Sequence, residues 1–359
     1  MATISLCMIV KDEEAVLARC LESVKAGVDE IIIVDTGSSD RTREIAARYT
    51  DKVYDFPWID DFSAARNFSF SKATMDFSMW LDADDVFTEK DLELFKQQKE
   101  DIPDSTNVIM LRYNTGFDET GKPVFSFYRE RLLRNSKAFV WKGRVHEAVE
   151  YSGPVLYWDI AVTHRSVKRV YSDRNLRIYE KQLADGEPLS PRDWFYYGRE
   201  LYYHKRYEKA MEVLNNFLGA GRGWVENNIE ACKILAACYR EQGDPLGALE
   251  ALARSFRYDL PRAEICCEMG SVFMEMGAYE KAAFWYGEAL RVPRDDQNGA
   301  FVAEDCHGYL PSIQLCVCYD RLGDRWQAQK YNNLAGTFKP DAPAYLQNVG
   351  YFARLGRNP

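Results

Sequence analysis

Trp80-Leu81-Asp82-Ala83-Asp84-Asp85 sets three carboxylates directly behind a short apolar run, Phe77 to Leu81. Acids at that density repel one another unless a cation lies between them, and hard divalent ions such as Mg²⁺ and Mn²⁺ take oxygen donors of this kind. Upstream, Ile31-Ile32-Ile33-Val34-Asp35-Thr36-Gly37-Ser38-Ser39-Asp40 ends a second apolar run in the same way. Two acid-tipped strands in one α/β pattern place a polar, metal-ready crevice at the carboxyl edge of a sheet, where open α/β folds bind nucleotides.

Outward from these strands the first half alternates strand and helix. Thr3 to Val10 reads as a first strand rather than a signal peptide, because no basic leader or small-residue cleavage site accompanies it and Asp12-Glu13-Glu14 follows. Asp12 is expected to cap a helix whose Val16, Leu17, Cys20, Leu21 and Val24 recur at helical spacing, with Gly27 stopping it. Ser39 or Asp40 caps a helix through Ile45 and Ala46, and Lys52 to Phe56 is a third strand closed by Pro57. Asp61 opens another helix, and Thr88-Glu89-Lys90-Asp91 resembles a capping box that starts a helix over Leu92 to Gln98. This βαβα order predicts a parallel core with helices on both faces.

Beyond Val108 the pattern becomes mixed β. Val108 to Tyr113, Val124 to Leu133, Phe139 to Val149 and Val155 to Thr163 read as strands, with a hairpin turn at Asp118-Glu119-Thr120-Gly121. Arg129, Arg131, Arg134, Lys137, Lys142, Arg144, Arg165, Lys168 and Arg169 make the stretch basic. Most are expected on a solvated surface, with one or two facing an anionic ligand.

After Tyr171 the chain reads as helices that repeat. Leu201, Tyr239, Phe273 and Tyr319 are anchors separated by 38, 34 and 46 residues, each followed nine residues later by alanine: Ala210, Ala248, Ala282 and Ala328. The tetratricopeptide period is about 34 residues. Gly243-Asp244, Gly277-Ala278 and Gly323-Asp324 fall at the turns between paired helices. The long last spacing implies an insertion near Arg294 to Gly308, and Ala344 to Leu355 reads as a capping helix.

Composition sets outer bounds. A chain of 359 residues predicts two domains, and its formal net charge of -9 argues against a mainly nucleic-acid-binding protein. No apolar run reaches the ~18 residues of a membrane helix, so no membrane insertion is expected. The nine cysteines are odd in number and form no CxxC pair; Cys232, Cys266 and Cys316 take small-residue places in the repeats, which favours packing over metal and a reducing, cytoplasmic setting.

The motifs together resemble family 2 glycosyltransferases. The residues that carry the resemblance are Cys7-Met8-Ile9-Val10-Lys11-Asp12-Glu13-Glu14, Val34 to Thr42, Trp58 with Asp61-Phe62-Ser63-Ala64-Ala65-Arg66-Asn67, and Leu81 to Asp85. With its repeats, the chain is similar to the bacterial branch that includes peptide glycosyltransferases of the sublancin type. The resemblance implies an α/β GT-A domain (nucleotide-diphospho-sugar transferase, Rossmann-like) over 1–170, a linker helix over 171–190 and an all-α tetratricopeptide solenoid over 191–359. It implies an inverting, hexosyltransferase-type reaction with a UDP-sugar donor and Mn²⁺ or Mg²⁺. Asp35 matches the family acid on the uracil, Val10 and Glu14 lie where the nucleoside is cradled, and Arg66 matches an arginine near base and phosphates. Asp82, with Ala83, matches the ribose contact and Asp84 the metal ligand, with Asp85 beside it.

Each assignment has a plainer rival: Asp35 as a helix cap, the three acids as a solvated turn, Arg66 as a structural ion pair, Glu14 as an exposed helix residue. Inversion needs a base for the acceptor proton. The acidic pair that many family members carry for this about a hundred residues later is missing. Glu147, in Trp141-Lys142-Gly143-Arg144-Val145-His146-Glu147, is the nearest candidate, and on a strand His146 and Glu147 would face opposite ways. His164, after the last strand, is a candidate metal ligand. Trp80, Trp141 and Trp158 are stacking candidates, with core packing the plainer reading of Trp80. The acceptor expected is a peptide or protein, with the repeats as its surface or as a homodimer contact. The alternatives are a polysaccharide or glycolipid acceptor, or a non-catalytic scaffold.

Overall fold

In the computed structural model, which describes residues 2–117, 121, 123–167, 172–294 and 302–355, the first apolar run is β1 (Ile4–Val10). It is followed by α1 (Leu17–Val24), β2 (Glu30–Asp35), α2 (Thr42–Ala46), β3 (Val53–Asp55), α3 (Phe62–Phe70), β4 (Phe77–Trp80), β5 (Asp85–Phe87) and α4 (Glu89–Lys99). Then come β6 (Val108–Phe117), β7 (Pro123–Arg134), β8 (Trp141–Lys142), β9 (Ala148–Val149), β10 (Val155–His164) and α5 (Arg174–Ala184). The chain divides into two compact units, Met1–Asp193 and Trp194–Pro359.

In the first unit the sheet runs β3-β2-β1-β4-β7-β6-β10-β5. The β1, β2, β3 and β4 neighbours are parallel, whereas β7 runs antiparallel to β4 and β6, and β5 antiparallel to β10. Mixed strands therefore extend a parallel core, as the change of pattern at Val108 predicts. Side chains alternate along β1. Ile4, Leu6, Met8 and Val10 join the core with Leu17, Leu21 and Val24 of α1 and Phe95 of α4. Cys7 and Ile9 pack on the other face with Ile32, Val34 and Phe68 of α3. Register brings Val10 opposite Asp35, so both strands end at one edge.

Three local expectations change. Asp12 does not cap α1, whose cap residue Val16 makes no side-chain bond. Asp12 instead sits at φ +52, and its carboxylate accepts the Ser39 N–H at 2.7 Å. Its reach across to the β2–α2 loop is a tertiary contact that local capping rules do not contain. The strand expected over Phe139 to Val149 is a short hairpin, β8 against β9, with Gly143 at φ +95 and His146 at φ +51 turning the chain between them. His146 and Glu147 thus lie in a loop, and strand alternation does not govern them. Thr88 caps α4, but the Asp91 carboxylate bonds the Thr88 hydroxyl and the Ala161 N–H rather than closing a capping box. Asp61 caps α3 through the Ala64 N–H, as expected. The hairpin turn at Asp118-Glu119-Thr120 and the basic Lys168 and Arg169 lie outside the described residues.

The second unit is a run of antiparallel helix pairs: α6 (Pro191–Tyr203, its first turn in the first unit) with α7 (Tyr207–Ala220), α8 (Val225–Glu241) with α9 (Pro245–Arg254), α10 (Ala263–Glu275) with α11 (Tyr279–Ala289), and α12 (Tyr309–Arg321) with α13 (Arg325–Phe338). A last helix, α14 (Pro343–Leu355), follows where the capping helix is expected. The glycines between partners, Gly243, Gly277 and Gly323, hold left-handed φ of +74°, +70° and +82°, and Lys205 takes the same conformation in the first pair. Gly270 lets α10 meet the Tyr286 ring of α11, since a Cβ there would lie 2.8 Å from it. Ala210, Ala248, Ala282 and Ala328 are all fully buried. Of the expected insertion, 295–301 lies outside the described residues, and Glu304–His307 forms a 3-10 turn.

Candidate active site

A cleft of about 630 Å³ opens at the carboxyl edge of the parallel strands. Val10, Asp12 and Thr36 line it at the ends of β1 and β2, Asp82, Ala83 and Asp84 after β4, and Arg66, His146 and Glu147 on the opposite wall. Its lip is stitched by the motif residues. The Val10 carbonyl accepts the Thr36 N–H at 3.0 Å and its hydroxyl at 3.1 Å. The Asp12 N–H donates to the Ser38 hydroxyl, and the Glu14 N–H to Asp40. Ser38 in turn donates its hydroxyl to Asp35 at 2.6 Å. Asp35 is 2% exposed with its carboxylate on Ser38, and the cleft is lined by its neighbour Thr36 instead. Glu14 accepts from the backbone and guanidinium of Arg41, outside the cleft lining.

Arg66 joins the two walls. Its guanidinium donates to Asp82 at 2.8 Å and to Glu147 at 2.5 Å. It lies over the rings of Trp80 and Trp141, 4.7 and 5.0 Å from their centroids. Those tryptophans and Trp158 are buried, so packing describes all three, although Trp80 also reaches the cleft. The loop bearing Glu147 is held from several sides. The Asn67 amide pairs with the backbone of Trp141, Phe62 N–H donates to the Arg144 carbonyl, and Arg192 donates to the His146 carbonyl. This explains why Arg66-Asn67 stands next to Asp61-Phe62 in one motif: α3 clamps a loop some eighty residues away.

The acids divide by environment. Burial alone would raise the Asp82 carboxyl, but Arg66 and Arg131 pull it below the usual range. Burial holds Asp84 above that range, with Asp82 and Asp85 adding to the rise and His164 opposing it. His164 closes β10 directly opposite Asp85 of β5. Its Nδ1 lies 3.4 Å from Asp84, 3.4 Å from Asp85 and 3.1 Å from the Tyr113 hydroxyl. The bond to Asp85 raises its pKa against the effect of burial. Donor atoms of Asp84, Asp85 and His164 fall within 4.8 Å of one another, the one such His/Cys/Asp/Glu cluster among the described residues. Two carboxylates and an imidazole suit Mg²⁺ or Mn²⁺.

Of the basic stretch, Arg129 lines the cleft, whereas Arg144 and Lys142 pair with Glu187 and Glu150. Trp58, Phe62, Arg174 and Asn175 also line the cleft. Trp58 and Phe62 belong to a motif the sequence flags without assigning them a role. Arg174 and Asn175 carry no sequence signal beyond starting a helix. The nine cysteines are unpaired and buried, and burial pushes the Cys232 and Cys266 thiols to about 12, as small packing residues require.

The sequence profile of glycosyl transferase family 2 matches residues 5–153. Over 328 residues the chain is 34% identical to a TPR repeat-containing protein of Synechococcus elongatus, covering 89% of this chain and 74% of that protein. It is 27% identical over 237 residues to the SPbeta prophage-derived glycosyltransferase SunS of Bacillus subtilis, covering 59% of this chain and 52%, about half, of that relative. Among solved structures, that of PilW, a type IV pilus biogenesis factor, is 15% identical over 49% of this chain and 74% of its own, with a TM-score of 0.40. The family profile falls on the sheet that builds the cleft and the repeat-bearing relative spans both units: the chain belongs to glycosyltransferase family 2 and is a glycosyltransferase whose family domain is joined to tetratricopeptide-type repeats.

Proposed function

We propose that the chain transfers a sugar, with inversion, from a UDP-sugar to a peptide or protein side chain, using Mn²⁺ or Mg²⁺ held by Asp84 and His164. The observation that carries this reading is the convergence of Asp84, Asp85 and His164 beside a cleft lined by Val10, Asp82 and Ala83. A divalent ion bound there supplies charge neutralisation to a diphosphate leaving group. Asp82, which lines the cleft and pairs with Arg66, is the residue for the ribose, and Arg129 adds a cation to the cleft lining. Glu147 is the acid on the acceptor side, with Arg66 on its Oε1. A thiol acceptor, ionising near ~8.5, asks less of that base than a hydroxyl does.

The peptide acceptor is supported by the resemblance to repeat-bearing peptide glycosyltransferases. The repeat unit offers a surface for such a chain or for a second copy. No helix among the described residues is long and apolar enough to cross a membrane. The unpaired cysteines fit a cytoplasmic setting. Incubation with a panel of UDP-sugars and Mn²⁺, read by mass spectrometry, tests the reading. Metal-dependent UDP release from at least one sugar is expected; release from none, or release indifferent to chelator, overturns it.

A further inference from the structure

The acid cluster rests on a residue of the basic stretch that, unlike Lys137, Lys142 and Arg165, is shut off from solvent. Arg131 of β7 is fully buried, and so is the carboxylate it meets, Asp85 at 3.0 Å. Its guanidinium lies between two rings, with Cζ 3.9 Å from the Trp80 centroid and 4.3 Å from that of Tyr113. One nitrogen donates to the Trp80 carbonyl at 3.3 Å, while Nε and Nη2 make no hydrogen bond among the described residues. Replacing such a pair by apolar side chains of the same volume is often neutral or stabilising, so a buried pair is weak evidence for a purely stabilising role.

Asp85 divides its two oxygens. Oδ2 takes Arg131 and the N–H of Asp82, the latter at 3.1 Å. Oδ1 faces Nδ1 of His164 at 3.4 Å, the Tyr113 hydroxyl stands 3.1 Å from the same nitrogen, and Asp84 lies 3.4 Å from it. Partners of this kind around a metal-binding histidine fix the orientation of its ring.

We propose that Arg131 is a positioning residue: it fixes Asp85 and, through Asp85 with Tyr113, sets the His164 imidazole beside Asp84. The inference rests on the metal reading above. It makes Asp85 a holder of the ligand set, with Asp84 and His164 the ligands.

Mn²⁺ binding, read by electron paramagnetic resonance on the full chain without nucleotide, tests it alongside ¹⁵N spectra of the histidine rings. Arg131→Met should weaken Mn²⁺ by about tenfold or more, the usual effect of losing such a support. Arg131→Lys, which keeps the charge but not the fork, should recover part of that loss. Tyr113→Phe, which strands no charge, should weaken binding by a smaller factor. If Arg131→Met fails to fold because Asp85 is left unpaired, the other two variants decide. In the ring spectra, Arg131→Lys should shift the His164 signals. Unchanged Mn²⁺ affinity in the folded variants, or unchanged His164 signals, overturns the proposal. An unaltered chain that binds no Mn²⁺ instead sinks the metal reading, and the His164 signals still decide the positioning.

Discussion

Beneath the cleft the first unit buries a complete ion pair; the repeat unit packs its cysteines and alanines in apolar clusters and also buries Glu200 and Glu226. Arg131 and Asp85 are both fully buried, and Arg66 is 7% exposed with two carboxylates on it. In the repeats, Cys266, Cys267, Ala282, Ala283 and Cys318 make one apolar cluster, and Ala328 and Cys316 another. Burying charge is costly and burying a thiol is not. Beside the cleft that cost is accepted where chemistry is expected, and the cysteine-rich clusters of the repeats are packing. The two halves should therefore respond to substitution in different currencies, turnover in the first and stability in the second.

The largest effect is expected at Asp84. Asp84→Ala should lower transfer by on the order of 10³-fold while the circular dichroism stays that of the parent, because the loss is of leaving-group stabilisation. Full activity in that variant would erase the contrast between the units. Glu147→Gln comes next, with turnover reduced by about 10²-fold if it takes the acceptor proton. Turnover that does not change would place the base elsewhere. Gly270→Val moves the test to the repeats. Its side chain would collide with the Tyr286 ring, so a destabilisation of about 1–3 kcal/mol is expected in denaturant titration, with Mn²⁺ affinity unaltered.

The smallest effect concerns acid. Burial alone would raise Glu30, yet Lys52, Ser5 and Thr74 pull it down to about 2. A carboxyl depressed in the folded state contributes stability at neutral pH. That contribution is present above the unfolded pKa, near ~4.3, and lost as pH falls towards 2. Thermal unfolding between pH 5 and 2 should show this acid loss, and it should be smaller in Glu30→Gln.

Much of this was legible because local patterns carry it. The apolar runs that end in Asp35 and Asp82 have strand length and a shared edge, so the crevice followed from period and position. The repeats were legible from Leu201, Tyr239, Phe273 and Tyr319 because each pair reuses one left-handed turn. What escaped depends on partners far along the chain. Asp12 reads as a cap until Ser39 is seen to take its carboxylate. Trp141 to Val149 has the residues of a strand, but Gly143 and His146 turn it, and α3 holds the result. Arg131 is one basic residue among many in sequence, and only the register of β7 beside β4 places it under Asp85. Asp35 and Glu14 stand in the motifs, and in the structure their carboxylates are engaged by Ser38 and Arg41.

The central claim is that Asp84 and His164 hold a divalent ion that a nucleotide diphosphate needs in this cleft. Calorimetric titration of UDP into the full chain, with and without Mn²⁺, tests it most directly. The account predicts UDP binding that requires Mn²⁺ and disappears in Asp84→Ala; UDP binding equally well without the ion, or undiminished in that variant, would contradict it.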